Sequence, residues 1–173
     1  MSAPWSFIVR LRDLDTVAQT YHLEPDEAQR AAIARTLRLQ SLPALSADLS
    51  LKGWMDGVAI KGRLKAVVGQ ICSVSLDRFE QPLEGEIDLR AVPPDSPQAP
   101  VAEGGEVDYD PDAPDPPDVL AGDAVDLAAY VVEHLALEID PFPRKPGATF
   151  DYQPPDEPES PFAALKALKD PKA

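Results

Sequence analysis

Apolar and polar side chains alternate with period two over several long stretches of the chain, and that pattern predicts β-strands. Trp5, Phe7, Val9 and Leu11 alternate with Ser6, Ile8, Arg10 and Arg12. Leu45, Ala47, Leu49 and Leu51 alternate with Ser46, Asp48, Ser50 and Lys52. Val58, Ile60, Gly62, Leu64, Ala66 and Val68 alternate with Lys61, Arg63 and Lys65, and Leu83, Gly85, Ile87, Leu89 and Ala91 with Glu84, Glu86, Asp88 and Arg90. Asp56-Gly57 reads as the tight turn between two of these runs, with positive φ at both central positions. Gln70 to Leu76 is strand-like as well. Two stretches change to helical spacing. Pro25 opens a helix running to Leu39, with Asp26 and Glu27 at its positive end, Arg35 and Arg38 at its negative end, and a thin face of Ala28, Ala32, Arg35 and Leu39, with Ala31, Ile33 and Leu37 nearby. Asp126 caps a second helix over Leu127 to Glu138, where Leu127, Val131, Leu135 and Ile139 form a stripe. A short third helix is expected from Phe162 to Lys169. The predicted class is α+β: an antiparallel sheet of about five or more strands with one wet face and two or three helices.

Charge divides the chain unevenly. The 173 residues carry a formal net charge of -14. Residues 1–92 hold 11 basic and 12 acidic side chains, whereas residues 93–173 hold 5 and 18. Pro93 to Asp126 contains ten acids and no Lys or Arg, and eight of the 20 prolines lie between Pro93 and Pro117. Such a segment has little apolar surface to bury and repels itself. The expected organisation is one domain over 1–173, with an acidic Pro-rich loop at 93–124, a linker at 141–160 and a docking helix at 161–169 whose anchors are Phe162, Leu165 and Leu168. The apolar runs fall far short of a membrane span, and the N-terminus has no basic segment followed by an apolar block, so a cytoplasmic protein is expected.

The residues offer little catalytic chemistry. The single cysteine, Cys72, excludes a disulfide framework and a cysteine-cluster zinc site. Asp108, Asp110 and Asp112 begin like a calcium loop, but Ala113 and Val119 stand where glycine and glutamate are required. His134 and Glu138 lie one helical turn apart without further metal ligands, and His22 has no evident partner. There is no Gly-x-Ser-x-Gly turn and no phosphate-cradling glycine loop; Gly53, Gly57 and Gly62 belong to strands and a turn. No cofactor, no metal and no enzymatic activity are expected. The basic residues are more informative. Lys61, Arg63 and Lys65 share one strand face, and Arg10, Arg12 and Lys52 join them if the first strand pairs nearby. That face is a candidate RNA contact, set against the plainer reading of a solvated strand. No aromatic side chains interleave with these cations, so base stacking is not indicated.

Three blocks of sequence resemble a known family. They are Gly69-Gln-Ile-Cys-Ser-Val-Ser-Leu-Asp-Arg-Phe-Glu-Gln-Pro-Leu83, Val125-Asp-Leu-Ala-Ala-Tyr-Val-Val-Glu-His-Leu-Ala-Leu-Glu-Ile-Asp-Pro-Phe-Pro143 and Ser160-Pro-Phe-Ala-Ala-Leu-Lys-Ala-Leu-Lys169. In order and spacing they resemble the YceD family, the large ribosomal RNA subunit accumulation proteins of bacteria, with relatives in plastids. Many members have Cys-x-x-Cys in the first block, whereas this chain reads Cys72-Ser-Val-Ser75, so no role of a cysteine pair carries over. The resemblance implies a cytoplasmic factor supporting accumulation of large-subunit ribosomal RNA, and it supplies no catalytic residues. Two routes fit that role: direct RNA contact through Lys61, Arg63 and Lys65, or an acidic segment, Glu103 to Asp126, that holds a basic ribosomal protein. The second is favoured because its charge is unambiguous. A small acidic adaptor unrelated to ribosomes is the alternative. Neither DNA nor membrane is an expected partner.

Overall fold

The structure is a computed structural model and describes residues 4–100 and 115–150. Three long strands dominate it: β3 (Ser41–Trp54), β4 (Gly57–Ile71) and β5 (Arg78–Val92). They are preceded by β1 (Ile8–Arg10), a single 3-10 turn at Leu11–Asp13, β2 (Gln19–Leu23) and helix α1 (Glu27–Thr36). They are followed by β6 (Asp118–Val119), β7 (Ala124–Asp126) and helix α2 (Leu127–Glu138). The main sheet has the order β2-β3-β4-β5-β6, and β1 pairs with β7 in a separate two-stranded sheet. The class is α+β, as the alternation predicts. β4 and β5 each run 15 residues, about 50 Å of paired strand.

One sheet face carries the core. Leu45, Leu49, Leu51, Ile60, Leu64 and Ile87 project from it and are buried. Leu127, Val131 and Leu135 of α2 and Ile33 of α1 close over them. Asp126 ties three elements together at the start of α2. Its Oδ1 accepts from the N–H groups of Phe7 (2.8 Å), Ala128 (3.1 Å) and Ala129 (3.4 Å), and its Oδ2 from the Ser6 hydroxyl at 2.7 Å. The cap thus satisfies helix donors that would otherwise be orphaned and anchors the N-terminal strand as well.

Several elements differ from the sequence expectation for definable reasons. The first strand is three residues, not seven, because Leu11 turns away, and it leaves the main sheet to pair with β7. β2 has only Tyr21 and Leu23 as an apolar signal; its partner β3 places it. α1 begins after Asp26, which forms a reciprocal capping box with Gln29, and stops at Thr36 before Arg38 adopts φ 57°. Its buried residues are Ile33 and Ala34, so the inward face is rotated from the alanine face expected. β4 ends at Ile71, and Cys72 to Leu76 form a turn instead of strand. The expected loop at 93–124 contains β6, which pairs in parallel with Ala91 and Val92, while Leu120 N–H donates to the Val92 carbonyl at 2.8 Å. The sheet is therefore mixed at this margin. Residues 141–150 fold back on the Cys72 turn, with Ser73 N–H donating to the Pro143 carbonyl at 2.8 Å. The expected third helix lies outside the described residues.

The β3–β4 turn is displaced by one residue. Trp54 pairs with Gly57, so Met55 and Asp56 are the loop residues, and Met55 takes φ 53°. Gly57 is needed for space: a Cβ there would run into the Ala91 carbonyl oxygen and the Val92 backbone. Gly57→Ala is expected to lower stability by about 1–3 kcal/mol, read from the denaturant midpoint. Gly122→Ala, where nothing lies within 4 Å of the added carbon, should leave the midpoint nearly unchanged.

Candidate functional site

The second face of the main sheet is open and charged, and the strand register decides its pattern. His22 faces Asp48, Asp48 faces Arg63, and Arg63 faces Glu86. The next row is Thr20, Ser50, Lys61 and Asp88; beside the first row lie Ser46, Lys65 and Glu84. The sequence brings Lys61, Arg63 and Lys65 together as expected. What period two within one strand does not disclose is that each cation meets a carboxylate on β5. Lys61 Nζ donates to Asp88 at 2.9 Å and Arg63 Nη2 to Glu86 at 3.0 Å, while Lys65 Nζ lies 3.7 Å from Glu84. All six side chains are exposed. Such pairs add little stability each, but they cancel the positive field of the strand.

Arg10 and Arg12 do not join this face. Arg10 lies in β1, on the separate sheet, and Arg12 lies in the 3-10 turn beside Asp13. Lys52 is on the face, opposite Ala59. Arg90 sits there too, its guanidinium 5.1 Å from the Trp54 ring centroid. His22 Nδ1 lies 2.7 Å from Asp48, and that hydrogen bond and the Asp48 charge raise its pKa above the usual value. His134 is not a ligand partner of Glu138; its Nδ1 bonds the Tyr130 carbonyl at 2.9 Å. Phe162, Leu165, Leu168 and residues 101–114 of the acidic segment lie outside the described residues. Among the described residues no group of three His, Cys, Asp or Glu side chains is placed to hold a metal ion, and no helix is long and apolar enough to cross a membrane.

At one end of the β4–β5 hairpin, Cys72 organises the connection. Cys72 is buried, and its Sγ accepts from the backbone N–H groups of Lys145 (3.3 Å), Val74 (3.4 Å) and Ser75 (3.4 Å). Its own N–H donates to the Asp77 carbonyl at 2.8 Å, closing the turn, and Leu76 at φ 61° completes it. Lys145 Nζ pairs with Asp77 at 3.2 Å. Donors aimed at sulfur favour the thiolate. Hydrogen bonds from the Ser75 side chain, the Ser75 N–H and the Lys145 N–H outweigh burial and bring the Cys72 pKa down to about 6. The groups around the sulfur are N–H donors and a hydroxyl, not metal ligands. The strand expected over Gln70 to Leu76 gives way to this turn, whose sign in the sequence is the run Ser73-Val-Ser75.

A family model described as "Large ribosomal RNA subunit accumulation protein YceD" matches residues 60–169. The chain belongs to that family. The matched span takes in β4 from Ile60 onward, the Cys72 turn, β5 and α2, and with them the three blocks that carry the resemblance. No curated protein and no solved structure is significantly similar to the chain. In this YceD-family member the Ser75 hydroxyl, in the same turn, donates to Asp77 at 3.2 Å.

Because the folded pKa of Cys72 lies below its ordinary value of 9.0, its charged form stabilises the fold fully above pH 9 and progressively less as pH falls through about 6. Cys72→Ala is therefore expected to cost most at the alkaline end. Denaturant titrations from pH 6 to pH 9 should show the gap between wild type and variant widening with pH; a constant gap would count against a thiolate.

Proposed function

We propose that the chain is a non-enzymatic ribosome-assembly factor of the cytoplasm that supports accumulation of large-subunit ribosomal RNA by holding a basic ribosomal protein. Membership in a family named for that accumulation supports the role. The observation that carries the choice of partner is the pairing of Lys61, Arg63 and Lys65 with Asp88, Glu86 and Glu84. Phosphate binding draws on clustered cations whose counterions are released; here each of these three already has a carboxylate as its neighbour, while Lys52 and Arg90 on the same face are in no ion pair among the described residues. The rest of the chain adds 18 acids against 5 bases over residues 93–173. A cationic protein is the complementary partner, whereas RNA would meet carboxylates wherever it approached the strand.

Titration of the purified chain with cationic large-subunit ribosomal proteins should give binding that weakens steeply with added salt. Fragments of large-subunit ribosomal RNA should bind weakly under the same conditions. Tight RNA binding abolished by Lys61→Glu, Arg63→Glu and Lys65→Glu would overturn the choice of partner. In cells, depletion should lower the large-subunit peak on a gradient.

A further inference from the structure

The rows of charge across the open face alternate in sign, and they stop at an open edge. Asp48, Arg63 and Glu86 run negative, positive, negative across β3, β4 and β5; Lys61–Asp88 and Lys65–Glu84 end the same way. Beyond β5, β6 covers only Ala91 and Val92. Among the described residues no backbone group hydrogen-bonds to the outer edge of β5 between Arg78 and Arg90. Unpaired N–H and C=O groups along such an edge are a template for another strand. From this edge and the chemistry that borders it, we infer that β5 accepts an extended segment of a partner protein as an added strand, with Lys or Arg at every second position facing Glu84, Glu86 and Asp88. The inference rests on the proposed binding of a basic protein and specifies where and how that protein is held.

Three features select this occupant. Each terminal carboxylate uses one cation on its β4 side, and a carboxylate has lone pairs for a second donor. A strand added to β5 would place its own side chains directly opposite those carboxylates, the geometry in which opposite charges attract and like charges repel. At its β6 end, the edge borders a groove of about 600 Å³ lined by Asp88, Arg90, Asp115, Asp118, Tyr130 and Glu133. Asp115, Asp118 and Glu133 have no cation within ion-pair distance among the described residues. Half-buried Leu83 and Leu89 of β5 offer apolar contact to the intervening side chains of the guest. This chain does not contain a suitable guest. Its sole run of three cations at alternate positions is Lys61, Arg63 and Lys65, already inside the sheet; Lys166, Lys169 and Lys172 recur every third residue, and residues 101–114 carry no cation.

The test uses the full chain and an acetylated peptide of roughly ten residues, shorter than the open edge, with Lys or Arg at alternate positions and Thr or Val between. Binding is read by anisotropy, and edge pairing by hydrogen exchange. The peptide should bind and slow exchange of β5 amides. Methylation of its alternate backbone nitrogens on the pairing edge should abolish binding, and a peptide of equal composition with its cations in one block should bind more weakly. Glu84→Gln, Glu86→Gln and Asp88→Asn together should weaken binding about tenfold, with circular dichroism confirming that the variant is folded. Equal binding of the methylated peptide, unchanged affinity in the triple variant, or displacement of the peptide by a single-stranded RNA would overturn the inference. If cationic ribosomal proteins bind the chain but the alternating peptide does not, the edge is wrong and the proposed function stands; if neither binds, both fail.

Discussion

Slide β5 by one residue against β4 and the molecule turns inside out. Glu84, Glu86 and Asp88 would point at α2, and Ile87, now 1 % exposed, would point at water. The same slip would set a glycine and apolar side chains opposite Lys61, Arg63 and Lys65. The pairing of these two strands therefore fixes the core and the open face at once. Burial of Leu64, Ile87, Val131 and Leu135 holds the parity, since a one-residue shift exposes a whole row. The Cys72 turn holds the register. It joins Ile71 to its partner Arg78 through six residues, pinned by three N–H donors on one sulfur and by the Cys72–Asp77 backbone bond. A buried thiol that does no evident chemistry is thus placed where it governs which charges meet.

That register also explains why net charge alone misleads about partners. The first half of the chain is nearly neutral, and a nearly neutral sheet can still present a cationic strip. Here it does not, because the neutralising acids lie across the strip rather than elsewhere. Screening over about 8 Å at physiological salt makes this arrangement decisive. A phosphate approaching Arg63 lies within that distance of Glu86, whose carboxylate is 3.0 Å from the guanidinium. Salt cannot hide a carboxylate that close, which is the physical ground for proposing a protein partner over RNA.

Much of the fold could be read from the residues. The apolar stripe and the Asp126 cap placed α2 at its observed bounds, and period two found β3, β4 and the second half of β5. Short elements were less legible because they have almost no local signal. β2 is held by β3, β6 by β5 and β1 by β7; each exists because a long neighbour supplies its hydrogen bonds. Lys61, Arg63 and Lys65 were visible as one face from spacing alone. Their opposition to Asp88, Glu86 and Glu84 was not, because the β4–β5 register runs through a six-residue turn that sequence spacing read as strand. The two-residue β3–β4 turn was legible to within one residue, since Asp56-Gly57 marks it and only the close approach at Ala91 assigns Gly57 to the strand. Arg10 and Arg12 were misplaced for the converse reason. Alternation shows that a strand exists and says nothing about which sheet it joins.

An open edge of this length is a hazard unless its chemistry is selective. Strand edges invite pairing with any extended chain, including another copy of the same protein. Two β5 edges brought together antiparallel would set Glu84, Glu86 and Asp88 of one copy against the same three carboxylates of the other. Like charges directly opposite are destabilising, so the edge resists its own kind. The lysine charges that commonly blunt exposed edges would resist basic partners instead. Here Lys61, Arg63 and Lys65 sit one strand further in, where they restrain the carboxylates, and the cations of the rim strand itself, Arg78 and Arg90, lie near its two ends. The same three side chains that oppose their own counterparts on a second copy in this register are therefore the ones that favour a cationic strand.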